Sequence, residues 1–150
     1  MEFLCRFNME KKLNNNEKNL LLQDLCARLP YGVKCQIEEF GENFFTLKNI
    51  NIDDENGHLL IFEEKINDLP VEVYLSEVKP CLRPLSSMTE EQSKELEEID
   101  PEFYSLISSN GEIYVSMDIR GYDWLNKNNF DYRGLIPKGI AIDATGKNIY

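Results

Sequence analysis

The stretch that decides the fold is residues 33–37 (VKCQI), in which apolar and polar residues alternate. Because neighbouring side chains of a β-strand point to opposite faces, this alternation predicts a half-buried strand. The same pattern returns at residues 45–47 (FTL) and at residues 71–75 (VEVYL). No helical pattern separates these stretches, so they predict a small, curved antiparallel sheet, and we expect its specific form to be an SH3-like barrel.

An acidic turn, residues 53–57 (DDENG), lies between two predicted strands. Its Asn-Gly pair supplies the two positive-φ residues that a tight hairpin prefers, so residues 58–62 are predicted to form the return strand. On the template of an EF-hand loop, Asp54 and Asn56 would offer oxygen ligands, but Ile52 would occupy the first ligand position. The flanks alternate like strands, so we interpret the segment as a plain turn and predict no metal site.

The sequence before the sheet is typical of a helix. Leucines and a cysteine at helical spacing predict one buried stripe over residues 16–28. Asn15 or Asn16 can cap the start of this helix, and Pro30 ends it.

The sequence after the sheet predicts a second helix. Pro80 and Pro84 are expected to stop the preceding strand, and the new helix begins at a capping box formed by residues 87 and 90 or by residues 89 and 92. Pro101 ends it. The remaining predicted elements are a strand over residues 113–117, a short helix over residues 122–128 and an edge strand over residues 140–142.

These elements predict an α+β fold with an N-terminal helix and a helical C-terminal decoration. A chain of 150 residues has the usual size of one domain, so we predict a single domain over residues 1–150. Residues 1–15 are expected to form a flexible or loosely packed N-terminal segment.

The composition argues against several classes of function. The net charge is −11, with 27 acidic and 16 basic residues, and clustered basic residues are what binding to nucleic-acid phosphates or anionic membranes needs. The four cysteines show no Cys-x-x-Cys pair, and we find no export signal or membrane-spanning run. We therefore expect a cytoplasmic protein with buried thiols, no cofactor, no direct nucleic-acid binding and no membrane association.

Catalytic signatures are absent from the sequence. His58 is the only histidine, and it sits beside a turn, where a structural role is expected. No nucleophile elbow, Walker loop or dinucleotide fingerprint occurs. We predict a protein that is not an enzyme, although a hydrolase that uses paired carboxylates stays a weaker alternative.

Three stretches together resemble a family of small proteins carried by gut anaerobic bacteria and by their phages and prophages. The stretches are residues 24–33 (DLCARLPYGV), residues 82–91 (LRPLSSMTEE) and residues 123–136 (DWLNKNNFDYRGLI). The resemblance implies no activity, cofactor or catalytic residue. Members often have a histidine before the Phe-Asp-Tyr-Arg-Gly segment, where this chain has Asn129, so any role of that imidazole is missing here.

Two surfaces are candidates for binding a partner. The predicted second helix is rich in glutamates, which either form an ordinary solvated face or imitate the phosphates of DNA. The C-terminal aromatic cluster carries the residue types that dominate protein interfaces, although closing the core is its more ordinary role. The candidate partner-binding residues are Arg83, Tyr122, Trp124, Phe130, Tyr132, Arg133, Glu90, Glu91 and Glu95.

The function predicted from the sequence is that of a non-enzymatic accessory protein of phage or prophage type. It would bind a protein partner, of basic character, through its acidic and aromatic surfaces. The alternative is an acidic inhibitor that mimics nucleic acid and blocks a DNA- or RNA-handling enzyme. The sequence leaves homo-oligomer formation open.

Overall fold

The computed structural model of the protein describes residues 13–102, 104–107, 113–116 and 118–150, and for the two short ranges in the middle it describes the backbone alone. The predicted N-terminal segment lies mostly outside the described residues. The helices are α1 (Asn15–Arg28), α2 (Glu90–Ile99) and α3 (Ile119–Lys127). The strands are β1 (Lys34–Ile37), β2 (Phe44–Asn51), β3 (Leu59–Ile66), β4 (Leu69–Tyr74), β5 (Val78–Pro84), β6 (Tyr104–Ile107), β7 (Ile113–Ser116), β8 (Phe130–Asp131) and β9 (Ile142–Asp143).

The chain divides into two compact units, Met1–Pro80 and Cys81–Tyr150. The first unit contains α1 and β1 to β4, the second contains α2, α3 and β6 to β9, and strand β5 runs through the boundary.

In the first unit, strands β1 to β4 pair in order and antiparallel, and the first half of β5 pairs with β1. The predicted alternation is confirmed, because Cys35 and Ile37 of β1 and the preceding Val33 are fully buried. The apolar side chains of β2 to β4 that face the same interior include Phe45, Leu47, Leu60, Phe62, Val71 and Val73. This packing is what holds the register of the hairpins, because a slip by one residue would expose the apolar face.

Two turns differ from the sequence prediction. Residues 53–57 do connect β2 to β3, but only Gly57 has a positive φ, of 95°, so the connection is not the tight Asn-Gly turn that we predicted. Instead, the two-residue turn lies between β3 and β4, where Asn67 and Asp68 have φ values of 53° and 63°. Positive φ at both central residues is the requirement of a tight hairpin turn, and asparagine and aspartate tolerate it.

Helix α1 confirms the predicted N-terminal helix, although its cap differs. The cap is Asn14, not Asn15 or Asn16, because the Asn14 side chain accepts from the Glu17 amide while the Glu17 carboxylate accepts from the Asn14 amide. Near the end of the helix, a fully buried ion pair joins Asp24 to Arg28, which lie one turn apart, with nitrogen–oxygen distances of 2.9 and 3.0 Å.

Strand β5 corrects the prediction that prolines end the sheet. Pro80 and Pro84 both lie inside this strand, opposite Cys35 and Asp131 respectively. A proline lacks only the amide donor, so a strand accepts it where that N–H would not face a partner. The second half of β5 pairs with β8 and β9 in parallel, and therefore the sheet is mixed, not antiparallel as predicted.

The helices of the second unit begin at well-formed caps. Thr89 and Gln92 make the capping box of α2, which confirms one of the two predicted pairs. The side chain of Asp118 caps α3 by accepting from the amides of Arg120 and Gly121.

The α+β class is confirmed. The described strands of the larger sheet pair in the order β4-β3-β2-β1-β5-β8, with β9 also on β5, while β6 pairs with β7 separately. This sheet is not closed into a barrel, so the SH3-like form is not confirmed.

Candidate functional site

The acidic helix α2 presents all five of its glutamates to solvent. Leu96 is its one buried residue among ten, and Met88 and Ile99 pack partly buried beside it. The predicted partner-binding residues Glu90, Glu91 and Glu95 are all exposed. The glutamates of the helix that share this exposure are Glu90, Glu91, Glu95, Glu97 and Glu98.

The predicted aromatic residues Trp124 and Phe130 form the core of the second unit. Trp124 is 5% exposed and Phe130 is fully buried, and their rings stack with centroids 5.6 Å apart. Leu96 and Leu125 are the other fully buried residues that pack in this cluster. These two aromatic side chains are therefore placed where they pack the fold, and little of their surface faces outward.

The indole nitrogen of Trp124 has a specific partner. Its N–H donates to Glu95 Oε1 across 3.1 Å. A buried indole needs an acceptor for its N–H, and an exposed carboxylate at the rim of the core supplies one here. Glu95 therefore positions α2 against α3 as well as contributing charge.

The half-buried part of the aromatic cluster consists of Tyr122, Tyr132 and Arg133. The rings of Tyr122 and Tyr132 lie 5.2 Å apart, and the Arg133 guanidinium stacks 4.4 Å from the centroid of Tyr132. The Tyr132 hydroxyl donates to Asn126 Oδ1 at 3.0 Å. These contacts restrain an arginine and two tyrosines at the surface, and we call this group the Tyr-Arg stack.

Arg83 occupies a different position from the Tyr-Arg stack. Its guanidinium carbon lies 5.9 Å from the ring centroid of Phe130 and 5.4 Å from that of Tyr150. It also donates to the carbonyl of Asn128 at 3.2 Å. The Tyr150 hydroxyl in turn donates to the Cys81 carbonyl at 2.7 Å. Sequence spacing did not indicate the contact with Tyr150, because 67 positions separate the two residues.

The Phe-Asp-Tyr-Arg-Gly segment owes its shape to Asp131. The carboxylate of Asp131 is buried and accepts from the backbone amides of Leu135 and Ile136, both at 2.9 Å. The preceding residue, Asn129, has a φ of 61°, a conformation that asparagine adopts more readily than most residues. Its buried Oδ1 has no hydrogen-bond partner within the described part of the chain. Asp131 thus has a structural task, because it holds the backbone that follows it.

Sequence reasoning missed the junction between α2 and α3. Asp100, which is 2% exposed, accepts from the amides of Glu102 and Asp118 at 3.2 and 2.8 Å. Asp118 then caps α3 and binds the Arg120 guanidinium at 2.7 Å. Asp118 itself, a residue type that favours the N-cap position, was the available signal for this cap.

The one histidine lies in the first unit, in the loop between β2 and β3. His58 Nδ1 accepts from the Asp53 amide at 3.1 Å, so the neutral ring carries its proton on Nε2, which lies 3.9 Å from Asp54 Oδ1. The Asp53 carboxylate binds the turn itself, and hydrogen bonds from Asn56, together with one from the Glu55 amide, hold the pKa of Asp53 below its ordinary value. This carboxylate therefore stabilises the loop between β2 and β3.

A surface cleft of about 830 Å³ borders this loop in the first unit. Its walls come from the start of α1, from the loop around His58 and from the end of β4, where half of Tyr74 is exposed. Among the described residues, no group of three or more histidine, cysteine or carboxylate side chains is arranged to hold a metal ion.

No family model, curated protein or solved structure matches the chain. The resemblance to proteins of gut bacteria and their phages therefore stays a prediction. Within the described residues, no helix is both long and apolar enough to cross a bilayer.

Proposed function

We propose that this protein is a non-enzymatic binding domain whose helix α2 and Tyr-Arg stack contact a basic protein partner. The observation that carries this proposal is the row of five exposed glutamates on α2, a helix that buries a single leucine. Apart from Glu95, whose carboxylate accepts from the Trp124 indole, these glutamates do little for the core, while a partner of opposite charge would be steered toward them.

The position of the glutamates supports a role in binding. Glu97 and Glu98 lie in the last turn of α2, where the helix dipole disfavours negative charge. No lysine or arginine in that turn offsets them. Charges placed against the local field reduce the stability of the helix, so stability does not account for their presence.

The Tyr-Arg stack supplies the second half of the proposed surface. Tyrosine and arginine are enriched at the energetic centres of interfaces because they combine a large contact area with a polar end. Tyr132 and Arg133 are already held by the ring contacts and by the bond to Asn126, so little side-chain freedom would be lost on binding. Both Tyr122 and Tyr132 pack against the same core as α2.

The geometry of His58 argues against this residue as a general base. Its Nδ1 is engaged by the Asp53 amide, and its Nε2 carries the proton in the neutral ring. The ring can therefore accept a proton only at Nδ1, and only if its hydrogen bond with the Asp53 amide breaks. A general base needs a nitrogen that is ready to accept a proton, so His58 is unsuited to that role.

The proposed setting is the cytoplasm of a bacterium that carries a phage or prophage. Cys26 and Cys81 are thiols outside any disulfide, as a reducing compartment favours. An inhibitor that mimics nucleic acid would use the same glutamates. If the partner is an enzyme that acts on nucleic acid, this alternative replaces our first proposal.

The test is affinity purification from cells of the source organism with a variant that removes four charges, E90Q/E91Q/E97Q/E98Q. Its matched control, E38Q/E42Q/E55Q/E63Q, has the same net charge but changes four exposed glutamates of the first unit. Glu95 stays intact in both, because it binds Trp124.

We expect a stoichiometric partner that is retained by the control and lost by the α2 variant. R133A should weaken the same complex. Equal retention by both quadruple variants would contradict the proposal. A partner released by added DNA as well as by salt would favour the mimic, since both contacts are electrostatic.

A further inference from the structure

The loop between β2 and β3 carries a chemically sensitive pair, Asn56-Gly57, and both residues are exposed. A glycine after an asparagine leaves the peptide nitrogen unshielded, because no Cβ blocks its approach to the asparagine side chain. Asparagine is accordingly among the residues that limit the chemical lifetime of proteins.

We infer that Asn56 is a site of spontaneous deamidation and that Asp53 controls its rate. In the reaction, the nitrogen of Gly57 loses its proton and forms a bond to Cγ of Asn56. The bond from Cγ to Nδ2 breaks with its electron pair on nitrogen, Nδ2 takes up a proton through the solvent in place of the one that Gly57 lost, and ammonia leaves. Water then opens the cyclic imide, which leaves an aspartate or an isoaspartate at position 56.

Asp53 holds both nitrogens that take part in this reaction. The leaving nitrogen, Nδ2 of Asn56, donates to Asp53 Oδ2 at 3.2 Å. The attacking nitrogen, that of Gly57, donates to the Asp53 carbonyl at 3.1 Å. Asp53 Oδ1 also accepts from the Asn56 amide at 3.0 Å. Cyclisation requires the hydrogen bonds of Asn56 Nδ2 and of the Gly57 nitrogen to break. The folded loop therefore slows the ring closure that an Asn-Gly sequence favours.

The product would change the loop. Replacing Nδ2 by an oxygen places two carboxylates at the distance where Asn56 and Asp53 now share a hydrogen bond. Like charges at that separation repel, so the turn has to open. The Asp53 amide also donates to His58 Nδ1, and therefore the opening extends to the histidine and to the wall of the cleft.

The first measurement compares deamidation at Asn56 in the wild type and in D53A by peptide mapping with isoaspartate detection. Loss of the bond from Asn56 Nδ2 to the Asp53 carboxylate should speed the reaction about fivefold, the equivalent of one hydrogen bond of average strength. Asn51, which is exposed and precedes an isoleucine, serves as the internal reference. The digest separates this site from the second Asn-Gly pair at residues 110–111.

D53S is the second variant, because a serine hydroxyl can still accept from the turn amides but is too short to hold Nδ2. Its rate should lie between those of the wild type and D53A. A rate in D53A at or below that of the wild type, with the fold intact by circular dichroism, would overturn the inference.

The consequence for the loop is tested separately with N56D. Because His58 is the only histidine, its ring signals in an NMR spectrum need no assignment by mutation. We expect these signals to shift in N56D and to stay unchanged in N51D. Unchanged signals in N56D would overturn the proposed opening of the turn.

Discussion

The indole N–H of Trp124 donates to Glu95 Oε1 across 3.1 Å, and this bond joins α3 to α2 at the rim of the core. One of the glutamates that the sequence suggested for partner binding is therefore also part of the folding of the second unit. The other four glutamates of α2 are exposed like Glu95. A loss of binding on mutation of Glu95 alone would not distinguish contact with a partner from displacement of the helix.

Removal of the indole N–H should destabilise the protein measurably. W124F keeps a ring against Phe130 but removes the donor and part of the buried surface, so we expect the free energy of unfolding to fall by about 1–2 kcal/mol. E95Q should cost less, because an amide oxygen still accepts. Urea unfolding measures both, with E91Q, an exposed neighbour on the same helix, as the control. A W124F protein as stable as the wild type would show that the bond contributes nothing.

The carboxylate of Asp131 should be essential to the segment that follows it. Both of its oxygens accept from backbone amides, and an asparagine can offer only one acceptor and would turn its NH₂ group toward the other amide. We expect D131N to lower the free energy of unfolding by about 1–3 kcal/mol in urea melts. D143N is the matched control, because Asp143 is exposed and accepts a single amide, that of Thr145. Equal losses in the two variants would contradict this assignment.

Local signals in the sequence predicted local structure well. The Thr89–Gln92 capping box and the alternation of β1 were visible because each depends on residues a few positions apart. The cap of α1 was misplaced, since the run of asparagines at 14–16 offers several caps and the return bond from Glu17 selects Asn14.

Long-range structure could not be predicted in the same way. Strands β8 and β9 have two residues each, too few for a period, so their parallel pairing with β5 left no pattern in the sequence. Composition also could not predict which residues of the aromatic cluster are buried and which reach the surface. Trp124 is buried while Tyr132 remains half-buried, and this follows from which side of α3 and of the subsequent loop faces Leu96.

Acid should weaken the second unit through Asp118. Hydrogen bonds from the Arg120 side chain, and then from the amides of Arg120 and Gly121, hold the pKa of Asp118 below its ordinary value. A lowered pKa in the folded state contributes stability above the pKa of the unfolded chain, about 4, and that contribution is lost as the pH falls through the folded value. Urea midpoints measured from neutral pH downward should fall less steeply for D118N than for the wild type. D123N, which changes an exposed carboxylate of the same helix, should keep the wild-type slope, and an unchanged slope in D118N would contradict the prediction.

Alkali should weaken the protein through Cys81. Burial raises the pKa of this thiol to about 11, against a smaller opposing effect of Lys147. The thiol in the unfolded chain has a pKa of about 8.5, so it begins to ionise there while the folded protein still keeps Cys81 neutral. The contribution of the thiol to stability is therefore present below that pH and is lost as the pH rises toward 11. We expect C81A to be less stable at neutral pH, because it leaves a small cavity, but to show a flatter decline in alkali.

Iodoacetamide labelling gives an independent measurement, since the thiolate is the reactive form. Exposed Cys26 should react well before Cys81 at mildly alkaline pH, and simultaneous labelling of the two would show that Cys81 is not protected by burial.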